Sequence, residues 1–527
     1  MSTHARGSAA PATRWQALRR MAPALAPPLL FLPILFAPPI NHDVAAVLSF
    51  SQRWLAGEHL YVDLIDVNPP LIYVLNLIPA ALARATGIDG VPALQLCLVA
   101  LGFWLWYLAL RVRDRDREGP VERVLLDVLP GLMVFAAGYD IGQRETLMVA
   151  AGFPYILAAA RREAGARPRA RLTTAVLAGL GFALKPHFLG IPAAVELALL
   201  AGRCRRLGWR DGWRETWRDP VPWLMAAVWL AYLASLPLVF PQYLGVVVPL
   251  VWSLYLEQGG LTPLEVLLVP RLATAVILLA PLLWIAFRPP WSAPHALPRL
   301  LGLAALGALA SAMTQHKGWS YHIVPVELLA CALATVLGAR WLDRAEAWRQ
   351  PGGAHRAGAV LACLFALYCI EAGEAPWNEL GYGKSDIARL TGLLDEYAEG
   401  ARVLVLSPGI SPVYPALNYA HARLTLRTMN MWMLEGAYAT CPANGERYRE
   451  PAEMSRPEFF VYRTVAEDFA RAPPAAVVVD SVPGIPWCGA EFSFIAYFSR
   501  HPLFAETWSH YRLAETWGRY SFYVRKD

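Results

Sequence analysis

The residues of this chain that could do chemistry sit in short polar breaks between long apolar runs. The first break, His42-Asp43 through Asn68-Pro69-Pro70, carries Asp43, Glu58, Asp63 and Asp66, with Arg53 as its only strong cation. The second, Tyr139-Asp140-Ile141-Gly142-Gln143-Arg144-Glu145, places acids on both sides of an arginine. Lys185-Pro186-His187 interrupts a third run, and Gln315-His316-Lys317-Gly318-Trp319-Ser320-Tyr321-His322 a fourth. Carboxylates can take a proton from an attacking hydroxyl. Arginine and lysine can hold phosphate oxygens as negative charge develops on them. Neither His316 and His322 nor the seven cysteines follow a metal-ligand pattern, so no cofactor is expected and a divalent metal has no support from spacing.

The elements that must position these breaks are membrane helices. Hydrophobic residues make up 56% of the 527 and charged residues only 17%, against about 25% in soluble domains. The apolar runs repeat at roughly the length of a membrane-crossing helix, which makes the chain a polytopic membrane protein. Net charge is +6, but the arginines cluster between apolar runs and read as a positive-inside signal rather than as a nucleic-acid surface.

Those clusters set the topology. Residues 1–22 form a basic cytoplasmic tail. Spans are expected at about 23–40, 91–110, 122–138, 146–160, 172–185, 188–202, 221–240, 264–287, 299–314, 322–339 and 357–372. Residues 69–86 contain Asn76, Pro79 and Arg84 and precede the cluster RVRDRDREGPVER, so they are expected as an interfacial or re-entrant helix within a first outer loop, 41–90. The result is about eleven transmembrane helices, with the N-terminus inside and the C-terminus outside. Every unusual ionisable group then falls on the outer face, although only the arginines were used to orient the chain. Ionisable groups near membrane depth are costly and usually functional.

Residues 373–527 change character. Apolar runs shorten to strand length at Val403–Leu406, Leu424–Leu426 and Ala476–Val479, with helix-like stretches at 384–398 and 457–471 between them. YRLAETWGRYSFYVR reads as a hairpin, and EAGEAPWNELGYG as a linker. A C-terminal extracytoplasmic α/β domain follows from this alternation. Cys441 and Cys488 lie in it and could pair in an oxidising compartment.

His42-Asp43 after the first span, Gly57, Tyr61-Val62-Asp63 and Asn68-Pro69-Pro70-Leu71 resemble the first outer loop of the GT-C membrane glycosyltransferases. The pattern is most similar to the protein O-mannosyltransferase and lipid A aminoarabinose-transferase group, although this chain reads His42-Asp43 where many members have Asp-Glu. The resemblance covers roughly 23–190 and, less fully, 298–325. It implies a bacterial inner-membrane enzyme of GT-C fold that takes a sugar from a polyprenyl-phosphate carrier to a cell-envelope acceptor, with a C-terminal extracytoplasmic domain.

That chemistry assigns roles. Asp43 is the expected base, or else a helix-capping residue; Asp66 is a second carboxylate, or a turn residue before Asn-Pro-Pro. Arg144 would grip phosphate, and Glu145 and Asp140 would serve the catalytic group, unless Arg144 and Glu145 are only a local ion pair. Lys185 would meet the carrier phosphate, or snorkel to the interface, and His187 could donate to the same phosphate. Lys317 would face the phosphate side, with His316, Tyr321 and His322 around the carrier or its sugar. Glu257 and Gln258 lie in an outer loop that could gate the carrier. The competing readings are a transporter or flippase, or a polymerase, of lipid-linked sugars. Transporters tend to show repeated halves and polar breaks at mid-membrane, and neither is visible here.

Overall fold

The computed structural model describes residues 27–30, 32–256, 258–289, 296–442, 447–488 and 491–526. The basic tail 1–22 and Glu257 lie outside the described residues. Two layers make up the protein: a helical bundle through Ala372, and a sheet with its helices set over one end of that bundle.

The bundle contains α1 (His42–Leu55), α2 (Leu71–Thr86), α3 (Gly90–Val112), α4 (Pro120–Phe135), α5 (Arg144–Glu163), α6 (Arg171–Ala183) and α7 (Gly190–Leu207). Then come α8 (Trp209–Trp217), α9 (Pro220–Val239), α10 (Pro270–Ala286), α11 (Leu297–Gln315), α12 (Ser320–Leu342) and α13 (Pro351–Ala372). Among the described residues, six helices have the length and hydropathy to cross a bilayer: α3, α7 with its leading turn, α9, α11, α12 and α13. The other expected spans are shorter, as in α6 and α10, or begin and end on charges, as in α5. The run 264–287, expected as one span, is broken at Val269, whose extended backbone (ψ 121°) precedes Pro270. The 16 residues of α2 reach about 24 Å at 1.5 Å each, short of a hydrocarbon core of about 30 Å.

Helix α12 is the hub. It is buried along most of its length and packs on α4, α5, α10, α11 and α13. By contrast α9 leaves Leu230, Leu233 and Leu238 exposed, the mark of a helix facing lipid. Small residues let the helices approach closely: a side chain at Gly307 of α11 would come within 2.7 Å of the Ile191 backbone in α7.

After α13 a turn and a short helix, Trp377–Gly381, replace the expected linker. The sheet follows, from β1 (Arg402–Leu406), β2 (Arg423–Leu424), β3 (Ala476–Asp480), β4 (Tyr511–Trp517) and β5 (Tyr520–Arg525), in the order β2-β1-β3-β5-β4. Strands β1, β2 and β3 run parallel, and the hairpin β4–β5 adds antiparallel to β3. The parallel strands are flanked by α14 (Asp386–Tyr397) and α15 (Arg456–Arg471), and the apolar run Ala476–Val479 is buried on both faces, as a central parallel strand requires. Cys441 and Cys488 are joined in a disulfide.

Candidate active site

A cavity of about 490 Å³ opens where the bundle meets the sheet-bearing layer. Its polar floor comes from the N-terminus of α1, the loop before α2, the α4–α5 turn and the start of α12: Asp43, Asp66, Asp140, Arg144 and Tyr321 all reach the wall.

Asn41, the residue just before the expected pair, starts this arrangement. Its Oδ1 accepts the backbone N–H of Asp43 at 2.9 Å and of Val44 at 3.4 Å, and so caps α1. Asp43 is therefore not the cap. It lies in the first turn of α1, and its Oδ2 accepts Gln143 Nε2 at 2.9 Å. Its other oxygen stands 3.9 Å from His42 Nε2. Gln143 also donates to Asn41 Oδ1 at 2.9 Å, and Asn41 Nδ2 donates to Asp140 Oδ1 at 3.2 Å. One amide network thus ties the two carboxylate-bearing segments together.

Asp140 is buried, with Arg271 Nη1 3.7 Å from its second oxygen. Burial pushes its carboxyl up to about 7, with Arg271 pulling the other way. Arg271 is committed to Glu327 in a two-pronged contact at 2.8 and 2.6 Å. Asp66 is both a turn residue and a wall residue: its Oδ2 accepts the N–H of Asn68 at 2.9 Å and the hydroxyl of Tyr73 at 2.6 Å. Burial raises its pKa, against those two donors and Arg144.

Arg144 is the exception among these groups. It opens α5, is 5% exposed, and reaches the cavity wall. Among the described residues it makes no hydrogen bond or ion pair; Glu145, Tyr321, Asp43 and Asp66 act on it only at longer range. The local pair with Glu145 does not form, because fully buried Glu145 takes Lys185 Nζ at 2.5 Å. Lys185 also donates to Gln315 Oε1 at 2.9 Å and lies 5.2 Å from the Tyr321 ring.

The remaining expected residues stand off the wall. His187 Nδ1 pairs with Ser311 Oγ at 2.7 Å, and His322 is buried beside Tyr321. Together with Glu145 and Lys185 they form a layer behind Arg144. His316 and Lys317 turn toward the helical segment 243–256 instead: His316 Nε2 lies 3.2 Å from Leu256 O, and Lys317 Nζ donates to Tyr255 O at 2.9 Å. They hold Tyr255, which does line the cavity, as does Gln258.

Sequence reasoning missed the roof. Pro408, Ile410, Asn430, Trp432 and Glu435, all from the sheet-bearing layer, complete the wall, and Trp432 meets Tyr255 edge-on at 5.8 Å. That layer is fastened to the floor: Ile65 N–H donates to Arg427 O at 2.6 Å, Asn418 Nδ2 to Ala45 O at 3.1 Å, and Arg423 pairs with Glu58. No local pattern marks these roof residues. Asn41 and Gln143 were accessible, since Asn is among the best helix caps and Gln143 sits inside the second polar break. Among the described residues, no group of three or more His, Cys, Asp and Glu side chains is arranged to hold a metal ion.

The fold is thus a helical bundle with an acidic first loop, a 16-residue helix after Asn68-Pro69-Pro70 and a covering α/β layer. The chain is similar over nearly its whole length to two crystal structures of ArnT from Cupriavidus metallidurans. One, bound to undecaprenyl phosphate, matches at a TM-score of 0.50 and 12% identity, covering 97% of this chain and 98% of that one. The other, in the apo state, matches at 0.51 and 12% identity, covering 96% and 97%. No family model and no curated protein sequence matches the chain.

Proposed function

We propose that this protein is an inverting glycosyltransferase that moves a sugar from a polyprenyl-phosphate carrier to a hydroxyl of a cell-envelope acceptor. The observation that carries this reading is Arg144: a guanidinium taken out of water, set in a cavity wall and given no carboxylate partner is a site for an anion that arrives with a substrate. Support comes from the shared fold, since one of the ArnT structures holds undecaprenyl phosphate.

In this mechanism the carrier phosphate docks on Arg144, with the Lys185–Glu145 pair behind it holding the local charge. The acceptor hydroxyl enters beside Asp43, whose Oδ2 is oriented by Gln143. The acceptor oxygen attacks the anomeric carbon from the face opposite the phosphate. The C–O bond to phosphate breaks with its electron pair going to the phosphate oxygen, and the hydroxyl proton goes to Asp43. Arg144 stabilises the charge that grows on the leaving phosphate. In this reading residues 23–372 are the catalytic module and 373–527 an extracytoplasmic domain, and the arginine clusters support an orientation with the cavity end of the bundle outside the cytoplasmic membrane.

The test is transfer by purified protein in nanodiscs supplied with a radiolabelled polyprenyl-phosphate sugar and envelope lipid extract. Asp43→Asn is expected to lower turnover by roughly 10²–10⁴-fold while carrier binding persists. Full turnover in Asp43→Asn removes that residue from the mechanism. Movement of intact lipid-linked sugar across proteoliposomes without cleavage would replace this reading by the transporter.

A further inference from the structure

The end of the bundle away from the cavity carries a second surface that the transfer chemistry does not use. Helix α8 reads Trp209-Arg210-Asp211-Gly212-Trp213-Arg214-Glu215-Thr216-Trp217, followed by Arg218. Tryptophan recurs every fourth residue, and arginine follows each one. At about 100° per residue the three tryptophans share one face and the arginines border it. Gly212 and Glu215 face α7: a side chain at Gly212 would come within 2.6 Å of the Cys204 backbone, and Glu215 lies 3.3 Å from Arg206. The tryptophans point away from that contact and are exposed, Trp209 at 71% and Trp217 at 62%. Arg210, Arg214 and Arg218 are exposed and make no ion pair among the described residues.

An indole stripe this exposed needs a cover, and the neighbouring span says what covers it. Trp217 packs edge-on against Trp223 at 4.6 Å, and Trp223 Nε1 donates to Trp217 O at 2.9 Å. Trp223 stands in the first turn of α9, one of the six bilayer-length helices, so its ring marks the membrane–water boundary. The stripe is therefore continuous with the lipid-facing surface of α9. The same end shows the pairing again at Trp284, whose ring lies 3.9 Å from the Arg288 guanidinium just past α10.

We propose that α8 lies in the membrane interface and binds anionic phospholipid, its tryptophans among the glycerol and upper acyl groups and Arg210, Arg214 and Arg218 on the headgroup phosphates. The row of indoles sets the depth, and the three arginines supply the preference for negative charge. Asp211, the one exposed acid of α8, sits beyond the arginines, on the side away from the tryptophans.

The test uses the full chain in nanodiscs of phosphatidylglycerol mixed with phosphatidylcholine, released for native mass spectrometry. Wild-type protein is expected to retain phosphatidylglycerol in excess, and R210Q/R214Q/R218Q to lose roughly tenfold of that preference. An unchanged preference in the triple variant overturns the proposal, as does equal retention of both lipids by wild type. A second measurement covers the depth. The emission difference between wild type and W209F/W213F/W217F should be quenched by lipid brominated near the headgroup and spared by aqueous acrylamide. Quenching by acrylamide alone would mean that water, or nothing, covers the stripe.

Discussion

Arg144 at the cavity and the buried arginines at the far end of the helical bundle are treated in opposite ways, and Arg53, buried beneath the covering layer but held by Glu58, sides with the latter. Away from the cavity each buried arginine has a carboxylate. Arg162 reaches Glu196 at 2.8 and 3.0 Å and Asp219 at 2.8 Å, Arg113 holds Glu118 and Asp127, and Arg340 holds Glu122. At the cavity Arg144 is as deeply placed and has none among the described residues, although four acids, Asp43, Asp66, Asp140 and Glu435, share its cavity. Taking a charge out of water costs several kcal/mol unless a partner repays it. The paired arginines fasten helix ends to one another, whereas the unpaired one keeps its capacity for a ligand. The difference separates cations that serve the fold from the one that the proposed mechanism assigns to the carrier phosphate, which charge count alone cannot do.

The sharpest break of this comparison exchanges each kind of arginine for glutamine. Arg162→Gln leaves Glu196 without its cation and Asp219 with Arg203 alone, and is expected to destabilise the protein by about 3–5 kcal/mol, read as a lowered unfolding midpoint in detergent, with carrier affinity unchanged in what remains folded. Arg144→Gln should do the reverse: an unchanged or higher midpoint, and carrier binding weakened roughly ten- to hundredfold by loss of charged hydrogen bonds, measured with polyprenyl phosphate alone. Equal destabilisation by both would erase the distinction. A smaller effect is expected at the roof. Trp432→Ala removes the ring that meets Tyr255 and should raise the acceptor KM by roughly tenfold, the worth of an aromatic contact, with carrier binding intact.

Asp140 sharpens the comparison through pH. Its carboxyl is held near 7 in the folded protein against an ordinary value of about 3.9. The folded state therefore binds the proton more tightly than the unfolded state, and stability from this group falls as pH rises from about 4 through 7. Asp140→Asn should flatten that decline in unfolding midpoint between pH 5 and 8; a parallel decline in the variant places its source elsewhere. The smallest effect belongs to the latch. Arg423→Gln breaks a pair with Glu58 in which Arg423 is 42% exposed, and should cost less than about 1 kcal/mol, seen as slightly faster proteolysis between the two layers.

Much of this was legible in the sequence, for definable reasons. The strand and helix positions of the C-terminal layer follow from apolar run length: β1 and β3 fall where short valine-rich runs stood, and the closing hairpin at YRLAETWGRYSFYVR. Asp43, Asp140 and Arg144 stood out because charge in an otherwise apolar chain is conspicuous. What remained hidden depends on direction rather than on identity. His316 and Lys317 share a polar break with Tyr321, yet His316 adopts a left-handed backbone (φ 41°) that turns the pair toward segment 243–256 while Tyr321 continues into the cavity. Trp432 and Glu435 lie some 390 residues after Asp43 in the chain, a distance that no periodicity spans.

The bond from Ile65 N–H to Arg427 O has a consequence for biogenesis. A ribosome delivers Asp43, Asp66 and Arg144 long before it delivers the segment after β2 that Ile65 awaits. Until then the nascent protein holds an open basin of charge beside the lipid, with no wall to select what enters. The chamber therefore forms in one late step, when the final third closes over the first, and a prematurely terminated product would keep the carboxylates without their enclosing wall.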